Sequence, residues 1–246
     1  MSWTPEQIEK HKKAANLLYK IIEESFDLIS KNKNITEFEV QQFIKKRFEH
    51  YGMRSDQDDP IVAFRENTGL VHYFPKKKSK KLETDSLILI DIWAKLKDKN
   101  SPYADITWMG YYGKDIPKEI LEVFKKVLEA RDKSIKYIQD NLKKGILVEG
   151  GTVHEKSDKI IIEAGFKSDH FIGHSIGLQS PHGAEKDLQP KKSASLRINL
   201  GYTIEPGIYL KNKFGSRSEI DFYIDDKKNL HITTEVQKKI ILIKPI

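Results

Sequence analysis

The sequence predicts a mixed α/β fold made of two related halves. Three observations carry that expectation: four recognisable helices, two β-hairpins that each bear a pair of acids, and a near-constant offset between the two sets. Helices and antiparallel hairpins in this order bury their apolar faces by packing helices against sheet.

The first helix opens at Thr4-Pro5, a capping residue followed by proline in the first turn. Ile8, Leu18, Ile21, Ile22, Phe26 and Ile29 form its apolar stripe. The second opens with "TEFE", in which Thr36 and Glu39 make a capping box, and closes at Gly52. The third is expected from Asp115 to about Leu142, with Ile120, Leu121, Phe124, Leu128 and Ile135 inward and an end near Gly145. The fourth is expected to open with "TVHE", a second capping box at Thr152 and Glu155, and to close at Gly165. The first hairpin pairs "LILIDIWAKL" (87–96) with "YADITWMG" (103–110), and the second pairs "YTIEPGIYL" (202–210) with "SEIDFYI" (218–224).

The capping boxes at 36 and 152 lie 116 residues apart, while Asp91 to Glu205 and Asp105 to Glu219 are both 114. We therefore expect one domain spanning 1–246, an internal repeat with halves of about 1–114 and 115–246.

Composition excludes several classes. An apolar content of 38% with 10% aromatics supports a packed core and not a disordered chain. No apolar run approaches the roughly 18 residues of a membrane span, and the start lacks a secretory pattern. The absence of cysteine rules out disulfides and thiolate chemistry, and a cytoplasmic location is expected. The net charge of +7 raises nucleic acid as a partner. The lysines are scattered, however, and the one dense run, "KKKSKK" at 76–81, reads as a solvated loop; neither nucleic acid nor membrane is expected as a partner.

The acids carry the chemistry. Asp91 and Asp105 are symmetric about position 98, and Glu205 and Glu219 about 212, so each pair is expected to be opposed or nearly so across its ladder. Opposed Cβ atoms stand roughly 5 Å apart. Two unit charges at that distance repel by about 3 kcal/mol at an effective dielectric of 20. Protons or metal ions must cancel that charge. A shared proton accounts for two carboxylates, not four, and leaves no use for His170, His174 and His182 in "DHFIGHSIGLQSPHG" or for His72 in "GLVHYFP". Four carboxylates and one imidazole suit two divalent ions; oxygen-dominated ligation favours manganese, cobalt, iron or magnesium over a structural zinc, with manganese first and cobalt, iron or zinc as the alternatives kept. Such a pair activates a water towards a carbonyl or phosphoryl group.

The strings "LIDIWAKL…YADITW", "HFIGHSIGL…H", "TIEPGIYL" and "GSRSEIDF" resemble the pita-bread metallopeptidases, the family of methionine aminopeptidase, aminopeptidase P and prolidase. "RSEID" is similar to the proline-specific branch. The resemblance implies a pita-bread α/β fold with helices outside curved strands. It implies metal ligation by Asp91, Asp105, His174, Glu205 and Glu219, with Asp105 and Glu219 bridging. It also implies a pocket lined by His72, His170 and His182, Glu205 as proton carrier, and Arg217 as the partner of a ligating carboxylate. The implied activity is hydrolysis of the N-terminal bond of short peptides, Xaa-Pro foremost, by a hydroxide held between the metals. Methionine aminopeptidase-like activity and a non-catalytic binding protein are the alternatives, and a homodimer stays open. The chain departs from the pattern at Trp93, where the family usually has glycine, and at Trp108, where arginine commonly follows "DIT". The Asp91–Asp105 gap is also longer than usual.

Overall fold

The computed structural model describes residues 2–245 apart from 57, 169, 184–187 and 191–193. Helix α1 (Pro5–Lys31) starts where expected, with Thr4 and Gln7 exchanging side-chain and backbone hydrogen bonds. Helix α2 (Glu37–His50) carries the expected capping box of Thr36 and Glu39. Gly52 then turns the chain at φ 66°, a conformation glycine enters without steric cost.

The other two helices correct the expectation. Helix α3 (Lys118–Leu142) begins after Pro117 and not at Asp115, because a proline keeps the residue before it extended. Ile120, Phe124 and Ile135 are buried and Leu128 is half-buried, but Leu121 is 44% exposed. It falls one residue, about 100° of rotation, off the stripe that Ile120 and Phe124 define. Helix α4 (Gly150–Glu163) starts ahead of Thr152, and Glu149 precedes it without a side-chain cap. No capping box forms at Thr152 and Glu155. A β-bridge between Glu149 and Ser195, with the Gly150 amide donating to the Ala194 carbonyl, fixes the entry instead. The starts of α2 and α4 are 113 residues apart, closer than the expected caps to the 114 of the acids.

The first hairpin is β3 (Ser86–Leu96) and β4 (Ala104–Tyr112). Strands β1 (Met53–Arg54) and β2 (Ile61–Phe64) pair antiparallel with β3, and β10 (Ile241–Ile243) lies parallel to β4. The second hairpin is broken into two short pairs: β5 (Gly201–Ile204) with β8 (Ile220–Ile224), and β6 (Gly207–Leu210) with β7 (Phe214–Arg217). Strand β9 (Leu230–Ile232) extends the first of these pairs. Pro206 sits in the break, where a residue without an amide proton cannot continue a ladder.

Strands β3 and β4 are buried on both faces. Ile88, Ile90, Ile92 and Ala94 join Ala104, Ile106 and Trp108 in a core with α1 and α2. Leu87, Leu89, Trp93, Met109 and Tyr111 face the other way, into the core that contains α3, α4, β5 and β8. Asp91 and Asp105 share the odd-numbered face with this second set, so side-chain alternation aims them at the second hairpin. The mixed α/β class expected from the sequence is the one observed.

Candidate metal centre

The ladder of β3 and β4 sets Asp91 across from Thr107 and Asp105 across from Trp93. The two aspartates are therefore diagonal neighbours on one face, and the hairpin's symmetry point is 99, not the expected 98. In the second hairpin the pairs Ile204–Ile220 and Gly207–Arg217 put Glu205 and Glu219 across from one another about Asn212, as expected.

All five expected ligands meet around one small cavity, together with His72, His170, His182 and Arg217. Asp105, His174 and Glu219 each bring one ligand atom to within 4.8 Å of the others. His174 Nε2 lies 3.2 Å from Glu205 Oε1 and 3.8 Å from Asp105 Oδ2. Arg217 donates to Asp91 Oδ2 and stands 3.9 Å from Glu205 Oε2. Gly173 lets the 170–174 segment approach this closely, since a Cβ there would lie 2.2 Å from the Thr203 carbonyl. His170 Nε2 is 3.7 Å from Glu205 Oε2, and its ring is 6.1 Å from that of His72. His72 and His182 are exposed, at the rim.

Several supporting residues escaped the sequence reading. Thr107 donates to Glu219 at 2.8 Å and Thr203 to Glu205 at 3.0 Å. Each lies two residues from an acid along a strand, so the period of two was the signal that could have found them. Asp221, fully buried, accepts the Asp105 amide at 2.9 Å. His154 and Asp158, paired at 2.9 Å on α4, line a wider cavity of about 730 Å³ beside the acids, and no spacing rule pointed to them. Glu37, also fully buried, accepts from the Phe64 and Lys80 amides, the Asn67 side chain and the Tyr73 hydroxyl. It thereby anchors the segment that carries His72.

The electrostatics are those of an overloaded acidic site. Burial, then the neighbouring acids, hold Asp105 and Glu219 well above the usual carboxylate range. Burial also raises Asp91, although Arg217 opposes it. Burial would raise Glu205 too, but the His174 hydrogen bond and the nearby His170 and Arg217 outweigh it and hold Glu205 low. His170 is pushed down to about 4, mainly by burial. Asp105 Oδ1 is buried without a hydrogen-bond partner, a costly arrangement for a carboxylate oxygen. An orphaned oxygen among four buried carboxylates and an imidazole is a donor set that divalent cations fit.

Metallopeptidase family M24 matches residues 9–226, nearly the whole chain. The chain belongs to that family. An uncharacterized peptidase of Methanocaldococcus jannaschii is 30% identical over 231 residues, covering 90% of this chain and 60% of its own length. Among solved structures, an X-Pro aminopeptidase from Thermotoga maritima superposes with a TM-score of 0.86 at 28% identity, covering 99% of this chain and 65% of that one. An Xaa-Pro dipeptidase from Bacillus anthracis gives 0.83 at 25%, covering 98% and 64%. The chain thus spans about 60% of the length of the curated relatives it matches. The pita-bread α/β architecture that the sequence motifs implied is the fold of this M24 chain.

Proposed function

We propose that this M24 protein is a dinuclear metallo-aminopeptidase that releases the residue ahead of proline from short peptides. The observation that carries the reading is the convergence of Asp91, Asp105, His174, Glu205 and Glu219 on one buried cavity, with Asp105 Oδ1 left unpartnered. The likeness to an X-Pro aminopeptidase supports the substrate. The reading takes the chain as one domain of two related halves, each hairpin supplying two of the four carboxylates.

Asp91, Asp105, His174, Glu205 and Glu219 would together hold the two ions. When bound, such ions lower the pKa of a water and polarise the scissile carbonyl. This chain's own residues do the rest. Glu205, oriented by the Thr203 hydroxyl and His174, carries the proton to the leaving amine. His170, with His182 at the rim, donates to the carbonyl oxygen as negative charge gathers there. Arg217 fixes the rotamer of Asp91 and offsets one negative charge. His72 closes the mouth over the bound peptide. Manganese is the first metal to test, then cobalt, iron and zinc. No helix among the described residues is long and apolar enough to cross a membrane; a cytoplasmic site of action is part of the proposal.

The test is metal analysis after anaerobic purification, followed by incubation of the loaded protein with Ala-Pro-Phe and Met-Ala-Ser. About two ions per chain and release of alanine support the reading. Release of methionine alone moves the activity to the methionine branch. No free amino acid with any of the four metals refutes it.

A further inference from the structure

Side-chain alternation puts Lys95 on the same face of β3 as Asp91, and burial leaves it only 5% exposed. A buried ammonium is costly unless its donors are matched. Two segments distant in sequence match them here. The ammonium donates to the Leu178 carbonyl, lies 3.2 Å from Asp56 Oδ2 and sits 5.0 Å from the centre of the Tyr103 ring. Tyr103, one step beyond the last ladder pair of β3 and β4, ties the same two segments. Its amide donates to the Gly177 carbonyl at 3.1 Å, and its hydroxyl accepts from the Asp56 amide at 2.9 Å.

Residues 175–183 form a small hairpin that follows His174 and contains His182. Gly183 donates to the Ser175 carbonyl, Ile176 bridges to His182, and Gly177 donates to the Pro181 carbonyl. A Cβ at Gly177 would lie 2.5 Å from the Ser180 carbonyl oxygen, so the turn is tight. The first arm is fixed by β5: Ile176 donates to the Gly201 carbonyl, and Thr203 donates to that of His174. The second arm carries His182, whose ring stands 4.5 Å from that of His174. The tip between the arms rests on Lys95 and Tyr103.

We infer that Lys95 is a positioning residue that holds the tip of this hairpin and thereby sets the place of His182 at the reacting carbonyl. The inference rests on the aminopeptidase reading and goes one residue beyond it. Lys95 lines neither cavity, so it acts through the hairpin. Without it Asp56 keeps a second cation, Arg54 Nε at 3.3 Å, whereas the Leu178 carbonyl loses the donor Lys95 supplies. The first arm keeps its bonds to β5, so His174 stays in place, and the metal complement with it. A donor misplaced by about 1 Å can cost on the order of a hundredfold in rate.

The test is a double-mutant cycle of Lys95→Met, His182→Ala and the double variant, all metal-loaded, on whichever of Ala-Pro-Phe and Met-Ala-Ser wild type cleaves. Elemental analysis, melting curves and hydrogen exchange of the 175–183 fragment run beside it. Lys95→Met should lower kcat/KM by about tenfold through kcat, with KM within about twofold and bound metal unchanged. In the His182→Ala background the same change should cost less than about twofold, because the group that Lys95 places is already gone. The 175–183 fragment should exchange at least about tenfold faster in Lys95→Met, while fragments from β5 and β8 keep their rates. If Lys95→Met melts too low to assay, Lys95→Gln, which keeps an uncharged donor, should move the same readouts in the same direction by less. Losses that multiply in the double variant, loss of metal, unchanged exchange at 175–183, or activity within about twofold of wild type overturns the inference. If none of the proteins cleaves either peptide, the aminopeptidase reading falls and hydrogen exchange decides alone. Faster exchange confined to 175–183 then supports the tie, and unchanged or uniformly faster exchange removes it.

Discussion

Asp105 is where the cost of the site is concentrated: a buried carboxylate with one oxygen unpartnered and the other three carboxylates of the proposed ligand set around it. Asp105→Asn should remove bound metal, read by elemental analysis, and lower kcat/KM by at least about a hundredfold. The metal-free variant should nevertheless melt no lower than metal-free wild type, because a neutral amide ends the like-charge contact. Arg217 gives the complementary case. Arg217→Lys replaces a fork that reaches Asp91 and Glu205 by a single point charge, and a ten- to hundredfold loss of kcat/KM or metal affinity is expected. The four acids were legible because a carboxylate on an apolar strand breaks the pattern around it. Thr107 and Thr203 were not, because threonine is an ordinary strand residue and only the acid beside it reveals its hydroxyl as a donor. Asp221 was hidden for another reason: its partner is the Asp105 backbone amide, 116 residues earlier in the chain, which no local pattern encodes.

Among the elements, α2 and α4 make a matched comparison. Both have threonine followed three residues later by glutamate near the start, yet only Thr36 caps. Thr36→Ala should cost about 1 kcal/mol in denaturant unfolding, whereas Thr152→Ala should stay within about 0.5 kcal/mol. Equal losses would show that the Glu149–Ser195 bridge does not set the start of α4. A capping box is a local signal, and it wins only where no long-range pairing has already placed the backbone. The first hairpin teaches the same lesson. Its strands were plain from their apolar runs, but its register depends on a connection whose shape the sequence does not specify, so Asp91 and Asp105 came out diagonal. The second hairpin turns tightly at Asn212, at φ 59°, and there the symmetry argument held.

Across the whole molecule, His11 ties the first helix to both later parts of the chain. Its ring nitrogens lie 2.7 Å from the Tyr103 carbonyl and 2.7 Å from the Thr233 hydroxyl, with Asp221 Oδ2 3.8 Å away. Burial lowers its pKa to about 4. Unfolded histidine takes up a proton near pH 6.5 and the folded one only near 4, so between those values the unfolded state binds the extra proton. Stability should be full above about pH 6.5 and fall as pH drops towards 4, by up to roughly 3 kcal/mol from this residue. Unfolding midpoints measured from pH 7.5 to 4 for wild type and His11→Gln check it: the variant should lose much of that slope. A comparable long-range tie has a different consequence at Glu37. This carboxylate opens α2, a helix that lines neither cavity, yet four donors spread from Phe64 to Lys80 converge on it. An amide in its place cannot satisfy them all, so the stretch bearing His72 would come unmoored. A screen for variants with impaired turnover should therefore recover changes in this outer helix, in molecules whose metal complement is intact.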